Sequence, residues 1–365
     1  FCAPVEVSIR RSSCGASSSS SNQCTTMLAA PGEGLQPPAF CSQKAQPVTL
    51  EGSGKVVGAG TLARAAGDTA GFRASPQFDA ATLALAAGLV QELKVGTGAA
   101  PDLLSVSLSA TDYVGHAYGM GGQEMCLQLL ALDRDLGSFF AFLDRSGVDY
   151  AVAFSADHGG LDNPERLRIR GVSDAARVDP ALGASVIGKR IAQKLGLTGS
   201  VLRGDYSGDV FIDRDLRAAD RARILREALA EYRAHPQVAA AYSRDQIDKT
   251  AMPSGSPVGW TLLQRTRASF DRERSGDIVV MLKQHITPIV DTSRYAATHG
   301  SPWDYDRRVP IAFWRKGFGP SQREDPAGAV DIMPTLAAVL GVSLGPPAID
   351  GHCLDGVLGA ACSSR

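Results

Sequence analysis

Between residues 102 and 156, a short apolar run, a long amphipathic stretch and a second short apolar run follow one another. The runs 102–109 (DLLSVSLS) and 150–156 (YAVAFSA) have the length and apolarity of buried strands. Between them, Leu127, Leu130, Phe139 and Leu143, with Leu129, Leu132 and Leu136 interleaved, recur at helical spacing along 123–145. Strand, helix and strand in that order predict a right-handed βαβ unit within a parallel sheet. Upstream, Ser75-Pro76 leads into an Ala/Leu-rich helix over 80–93 with Asp79 as its cap. Downstream, 208–212, 238–242, 277–282 and 309–314 read as strands, and 217–234 and 330–340 as helices. The predicted fold class is α/β, a mostly parallel central sheet flanked by helices and carrying an inserted cap region. The chain divides into an atypical N-terminal segment (1–70), a first part of the core (71–163), a more charged cap-like insertion (164–274) and a return to the core (275–365). Within the first segment, residues 1–50 read as loop, with a serine-rich run at 16–23 and Gly/Pro punctuation at 31–38.

Lys+Arg 37 against Asp+Glu 38 leaves a net charge of -1, so nucleic-acid binding is not expected. No apolar stretch is long enough to span a membrane. The chain opens at Phe1 with no charged segment followed by an apolar run, so no signal peptide is visible. Seven cysteines (Cys2, Cys14, Cys24, Cys41, Cys126, Cys353, Cys362) without CxxC spacing argue for disulfides rather than zinc thiolates. They place the chain in the periplasm or outside the cell. The expected bridges are Cys353–Cys362 or one from the C-terminal pair back to the N-terminal region, and the odd count leaves a thiol over.

The chemistry sits in three polar segments. Thr111-Asp112-Tyr113-Val114-Gly115-His116 follows the first predicted strand, Ser155-Ala156-Asp157-His158-Gly159-Gly160 follows the second, and Ala297-Thr298-His299-Gly300-Ser301-Pro302 comes later. The carboxyl ends of parallel strands open onto one crevice, so Asp112, His116, Asp157 and His158 are expected to converge there. Imidazole and carboxylate suit zinc, and also manganese, cobalt or iron. With His299 they make five ligands, more than one tetrahedral ion needs, which points to two ions. Two ions about 4 Å apart suit in-line displacement at phosphorus. Gly115, Gly159 and Gly300 are read as permitting tight turns and close approach of a substrate. His235 and His285 lack acidic or glycine neighbours of this kind, and His352 lies near the chain end; all three read as structural.

These motifs, with Thr298-His299-Gly300-Ser301-Pro302-Trp303-Asp304-Tyr305-Asp306, Val309-Pro310 and Asp331-Ile332-Met333-Pro334-Thr335, resemble those of the alkaline phosphatase superfamily. The likeness runs from about Ser75 to Leu358 and is closest to the phosphate-irrepressible bacterial alkaline phosphatases, akin to the type I phosphodiesterase and nucleotide pyrophosphatase group. It implies that Asp112, His116 and His299 bind one zinc and that Asp157 and His158 bind a second. It also implies a small phosphate-ester substrate and hydrolysis of phosphate monoesters. In that family an N-terminal Asp and a Thr or Ser nucleophile complete the second site, and an Asn and a Lys-x-Arg pair hold the phosphoryl oxygens. No strand-plus-Asp followed by such a nucleophile precedes Asp112, so the catalytic residue is unassigned. Val7-Ser8-Ile9-Arg10-Arg11 matches the Lys-x-Arg strand only in part. The expectation is therefore a truncated or frame-disrupted member whose residues 1–50 are not family sequence. Two alternatives stand beside the monoesterase: a phosphodiesterase or nucleotide pyrophosphatase on the same metal frame, and an inactive metal-binding remnant. A metal mutase is disfavoured by the cysteines and motif wording, and a serine hydrolase by the absence of Gly-x-Ser-x-Gly.

Overall fold

The computed structural model describes residues 30–345 and 349–362. Cys2, Cys14, Cys24, the 7–11 motif and the serine run fall outside them. Helix α1 (Pro76–Glu92) starts one turn earlier than expected, because Pro76 occupies the first turn, where its missing N–H costs nothing. Helix α2 (Ala110–Tyr118) and helix α3 (Gln123–Ser146) follow, α3 ending at Gly147 in the left-handed conformation that glycine adopts freely. Leu83, Ala86 and Val90 of α1 pack against Phe139 and Leu143 of α3.

A hairpin, β1 (Val48–Thr49) with β2 (Val56–Val57), packs Val48, Leu50 and Val57 on Ala296. The 46–60 stretch is thus built into the molecule rather than being loose. Cys41 is bridged to Cys126 across 85 residues, which ties the N-terminal segment to α3, and Cys353 is bridged to Cys362 as expected.

Strand β3 (Ala151–Ser155) pairs antiparallel with β10 (Ile311–Arg315). The expected strand 102–109 forms no ladder. It runs with Leu104, Val106 and Leu108 half-buried on the α1–α3 layer and the residues between them exposed. The period of two is there, but no neighbouring strand accepts its hydrogen bonds among the described residues, so the parallel βαβ pairing is not closed.

The inserted region has its own core. Strands β5 (Leu202–Gly204), β6 (Gly208–Ile212), β8 (Ile278–Leu282) and β7 (Val238–Ser243) form an antiparallel sheet in the order β5-β6-β8-β7. Helices α4 (Ala184–Leu195) and α5 (Ala218–Ala234) cover it with Ile187, Ile191, Ile224 and Tyr232, all at most 1% exposed. A short parallel pair, β4 (Ala176–Arg177) with β9 (Ile286–Thr287), borders this sheet. Because β8 belongs to it, we propose that the insertion runs through residue 287 rather than ending at 274.

One buried charge network fastens the pieces. Arg166, fully buried, donates to Asp162 Oδ1 at 2.6 Å, to Tyr118 O at the end of α2 and to Gln46 O. Glu165 takes a two-pronged pair from Arg177 at 2.7 and 2.9 Å, and Arg177 also reaches Ala296 O. Removing one partner of a desolvated pair strands the other charge, whereas exposed pairs contribute little. Arg166→Ala is expected to cost about 3–5 kcal/mol in chemical denaturation. Arg203→Ala, which removes the exposed Arg203–Asp213 pair, should stay within about 1 kcal/mol.

Candidate metal centre

Helix α2 carries Asp112 in its first turn and His116 in its last, an i,i+4 spacing that sets both on one face. Its N-terminus is held by a residue 31 positions upstream. Asp79, expected to cap its own helix, lies inside α1, and its Oδ1 accepts the Ala110 N–H at 3.0 Å. Its Oδ2 accepts from Gln128 at 3.1 Å. Burial pushes the Asp79 carboxyl up to about 6, against the lowering by these hydrogen bonds.

At the other end of α2, the His116 carbonyl accepts from Ala296 N at 2.6 Å, joining the helix to the segment that leads to His299. The second loop is locked to the third by the Gly159 N–H donating to Asp306 O at 2.8 Å. A Cβ on Gly159 would lie 2.1 Å from Tyr305 O, so the close approach that glycine permits is to the neighbouring backbone. Gly300 sits at φ +97, a turn conformation that other residues avoid.

The loops bring Asp112, His116, His158 and His299 together. The Nε2 atoms of His299, His116 and His158 lie 3.4, 3.5 and 3.8 Å from Asp112 Oδ1. The His158 and His299 rings stack with centroids 3.4 Å apart. Asp112, His158 and His299 each offer a donor atom within 4.8 Å of the others. His116 meets the cluster through Asp112. Asp157 is the outlying member, two-thirds exposed, with Oδ2 3.5 Å from His158 Nε2. His158 is therefore nearer to the Asp112–His299 group than a separation into two independent sets would place it.

Tautomers follow from the outer contacts. His116 Nδ1 lies 2.8 Å from Ala297 O and His158 Nδ1 2.8 Å from Gly159 O. A carbonyl can only accept, so each Nδ1 carries a proton, and in the neutral ring the Nε2 lone pair then faces Asp112. Asp112 Oδ1 is buried and has no hydrogen-bond partner. Burial first, then the charge of His158, lowers the His299 pKa and favours its neutral, ligating form. Converging lone pairs around a partnerless carboxylate oxygen repel one another unless a cation lies among them. The donor set fits a divalent ion: zinc takes imidazole and carboxylate at about 2.0–2.2 Å, for which tetrahedral donors sit about 3.3 Å apart.

Of the remaining histidines, His235 pairs with Asp179 and His285 with Asp174. His352 lies 3.8 Å from Asp331. All three are outside the cluster. The sequence offers Asp79 only as a cap of its own helix and gives no sign of Arg166, because the groups each one holds here, Ala110 N and Tyr118 O, are remote.

Residues 37–302 match the family model for type I phosphodiesterase / nucleotide pyrophosphatase. The alkaline phosphatase PhoK of a Sphingomonas species is 47% identical over 338 residues, covering 91% of this chain and 60% of that protein. The alkaline phosphatase PhoD of Zymomonas mobilis is 44% identical over 321 residues, covering 87% and 56%. In fold, the chain superposes on the crystal structure of wild-type alkaline phosphatase PafA with a TM-score of 0.74 and 23% identity, over 89% of this chain and 62% of that one. The chain thus spans about three fifths of the length of the relatives it matches.

Two outcomes test the centre. Asp79, whose folded pKa is raised, contributes stability that is full below about pH 4 and is lost as pH rises through about 6, in total about 2–3 kcal/mol. Asp79→Asn, which keeps an acceptor for Ala110, should flatten that slope in denaturant titrations at pH 4.5 and 6.5. After chelator treatment, zinc titration followed by calorimetry should show affinity falling more than tenfold in Asp112→Ala and in His299→Ala. Unchanged zinc binding would sink the donor set.

Proposed function

The chain belongs to the type I phosphodiesterase / nucleotide pyrophosphatase family of the alkaline phosphatase superfamily, and on that premise we propose that it is a zinc-dependent phosphomonoester hydrolase. We propose that Asp112, His116 and His299 hold one divalent ion and that Asp157 and His158 hold a second, with Asp112 Oδ1 lying between the two groups. The observation that supports this best is the convergence of three imidazole Nε2 atoms on the buried, partnerless Asp112 Oδ1. When bound, such ions supply Lewis-acid stabilisation of the attacking and leaving oxygens of a displacement at phosphorus.

The protein's own part is to place and orient. Ala297 O and Gly159 O fix two imidazoles in one tautomer, so their lone pairs are aimed before any ligand arrives. Asp79 and the Arg166 network fix the two ends of α2 and with them the spacing between Asp112 and His116. Asp157, two-thirds exposed and 3.5 Å from His158 Nε2, would be the solvent-facing ligand of the second ion. We assign no hydroxyl of this chain as the attacking group. The monoester preference follows the relatives named alkaline phosphatase, and the family model's description favours a diester as the second reading. The two disulfides suit the periplasm or the cell exterior, and no helix among the described residues is long and apolar enough to cross a membrane.

The deciding experiment compares p-nitrophenyl phosphate with bis(p-nitrophenyl) phosphate at alkaline pH with added zinc. Wild type should turn over the monoester faster, and Asp112→Ala should lose at least about a hundredfold in kcat/KM. Faster diester cleavage would select the phosphodiesterase. Zinc binding with no turnover of either ester would mean a metal-binding remnant.

A further inference from the structure

A cavity of about 300 Å³ lies beside His299, between helix α6 (Leu262–Ala268), strand β8 and the 298–307 loop. His299 serves both spaces: its Nε2 faces Asp112, and its side chain also lines this cavity. Two half-buried indoles, Trp260 and Trp303, line it as well. Their N–H groups are used inside the protein, donating to Ser254 O at 3.3 Å and to Leu282 O at 3.1 Å. Neither ring stacks on another ring or lies under a cation among the described residues. Trp314, by contrast, packs on Tyr150, and Phe270 lies under Arg244 and Arg267. What the two indoles have left to offer is unpaired ring surface.

The polar groups at this end are committed elsewhere. Arg265 donates to Trp260 O and Pro302 O, which fastens the first indole to the His299 loop. Arg265 and Arg307 share Asp304, at 3.3 and 3.4 Å, and Asp306 supplies a second acid on the same wall. The atoms left without partners, Thr287 Oγ1 and Asp306 Oδ1, are covered and cannot meet an occupant. A hydroxylated occupant would therefore lose its water without replacement, whereas an apolar ring gains from burial. Small-molecule sites run from about 300 to 1,000 Å³, so this one holds a single ring. We propose that the cavity receives the organic part of the phosphate ester as a neutral planar ring, held by stacking on Trp260 and Trp303 and not by hydrogen bonds. The inference rests on the hydrolase reading above, since it takes His299 to stand at the phosphoryl group. Both indoles are then specificity residues: they touch the leaving group and not the reacting atoms.

The test compares methyl, benzyl and cyclohexylmethyl phosphate, primary alkyl esters whose alcohols are similarly acidic. Wild type should favour benzyl over methyl phosphate at least about tenfold in kcat/KM. Cyclohexylmethyl phosphate, similar in size but puckered, should fall behind the benzyl ester. Trp260→Ala should shrink the benzyl preference about tenfold, and Trp260→Phe, which keeps a ring face, should retain most of it. Equal kcat/KM for benzyl and methyl phosphate, or for the benzyl and cyclohexylmethyl esters, would overturn the proposal, as would a preference unmoved by Trp260→Ala. If no phosphate ester is hydrolysed, the hydrolase reading fails by itself, and the cavity is read by saturation-transfer NMR with benzylphosphonate. Saturation of its ring protons that survives Trp260→Phe and is lost in Trp260→Ala supports the site, and absence of saturation in wild type overturns it.

Discussion

A carboxylate oxygen with no hydrogen-bond donor, faced by three imidazole nitrogens, is an arrangement that in its neutral-ring form pushes itself apart. Holding it requires rigid support from outside, and the architecture around Asp112 supplies that support. The three segments involved, helix α2 and the loops at 157–158 and 299, share no sheet ladder among the described residues. What holds them is a set of buried carboxylates and carbonyls placed against backbone N–H groups. Asp79 takes the first amide of α2, Asp162 takes Met120 N just beyond its end, and Asp306 takes Ser301 N. Charged acceptors make the stronger hydrogen bonds, and burial keeps them from being screened. The order that a wide parallel sheet would lend such loops is here carried by side chains.

That division explains what the sequence makes legible. Helix 123–145 and strand 150–156 were read within a residue or two of Gln123–Ser146 and Ala151–Ser155, because their signal is periodic and local. The pair Asp112 and His116 was equally readable, since a spacing of four on a helix fixes a shared face without outside help. The run 102–109 shows where local pattern stops: it has strand periodicity, but a ladder needs a partner that no residue within the run reports. Asp79 reads as a cap for its own helix, whereas its carboxylate accepts the first amide of α2. The Cys41–Cys126 bridge and the hydrogen bond from Arg166 to Tyr118 O join positions whose neighbours give no hint of each other. Long-range pairings of this kind are where reading by propensity runs out.

The inserted region shows the same lesson from another side. Of its strands, 208–212 and 238–242 are legible and β4 and β5 are not, while 277–282 reads as part of the returning core. In the structure it lies between β6 and β7 in the four-stranded sheet, with Ile278 and Val280 at most 1% exposed. Order along the chain is a fair guide for adjacent hairpins, but a strand that returns after a helix and a loop can enter the middle of an earlier sheet. The cavity beside His299 exists because of this return, since β8 forms one of its walls.

The ribbon made by β3 and β10 has a practical side. Two strands form the whole of that sheet among the described residues, with Phe154 42% and Trp314 48% exposed beside free backbone edges. Short sheets with open edges and apolar faces are templates for self-association. That ribbon is therefore one surface through which copies of this chain can pair in a concentrated preparation. Concentration and temperature act there on a strand that runs within two residues of Asp157.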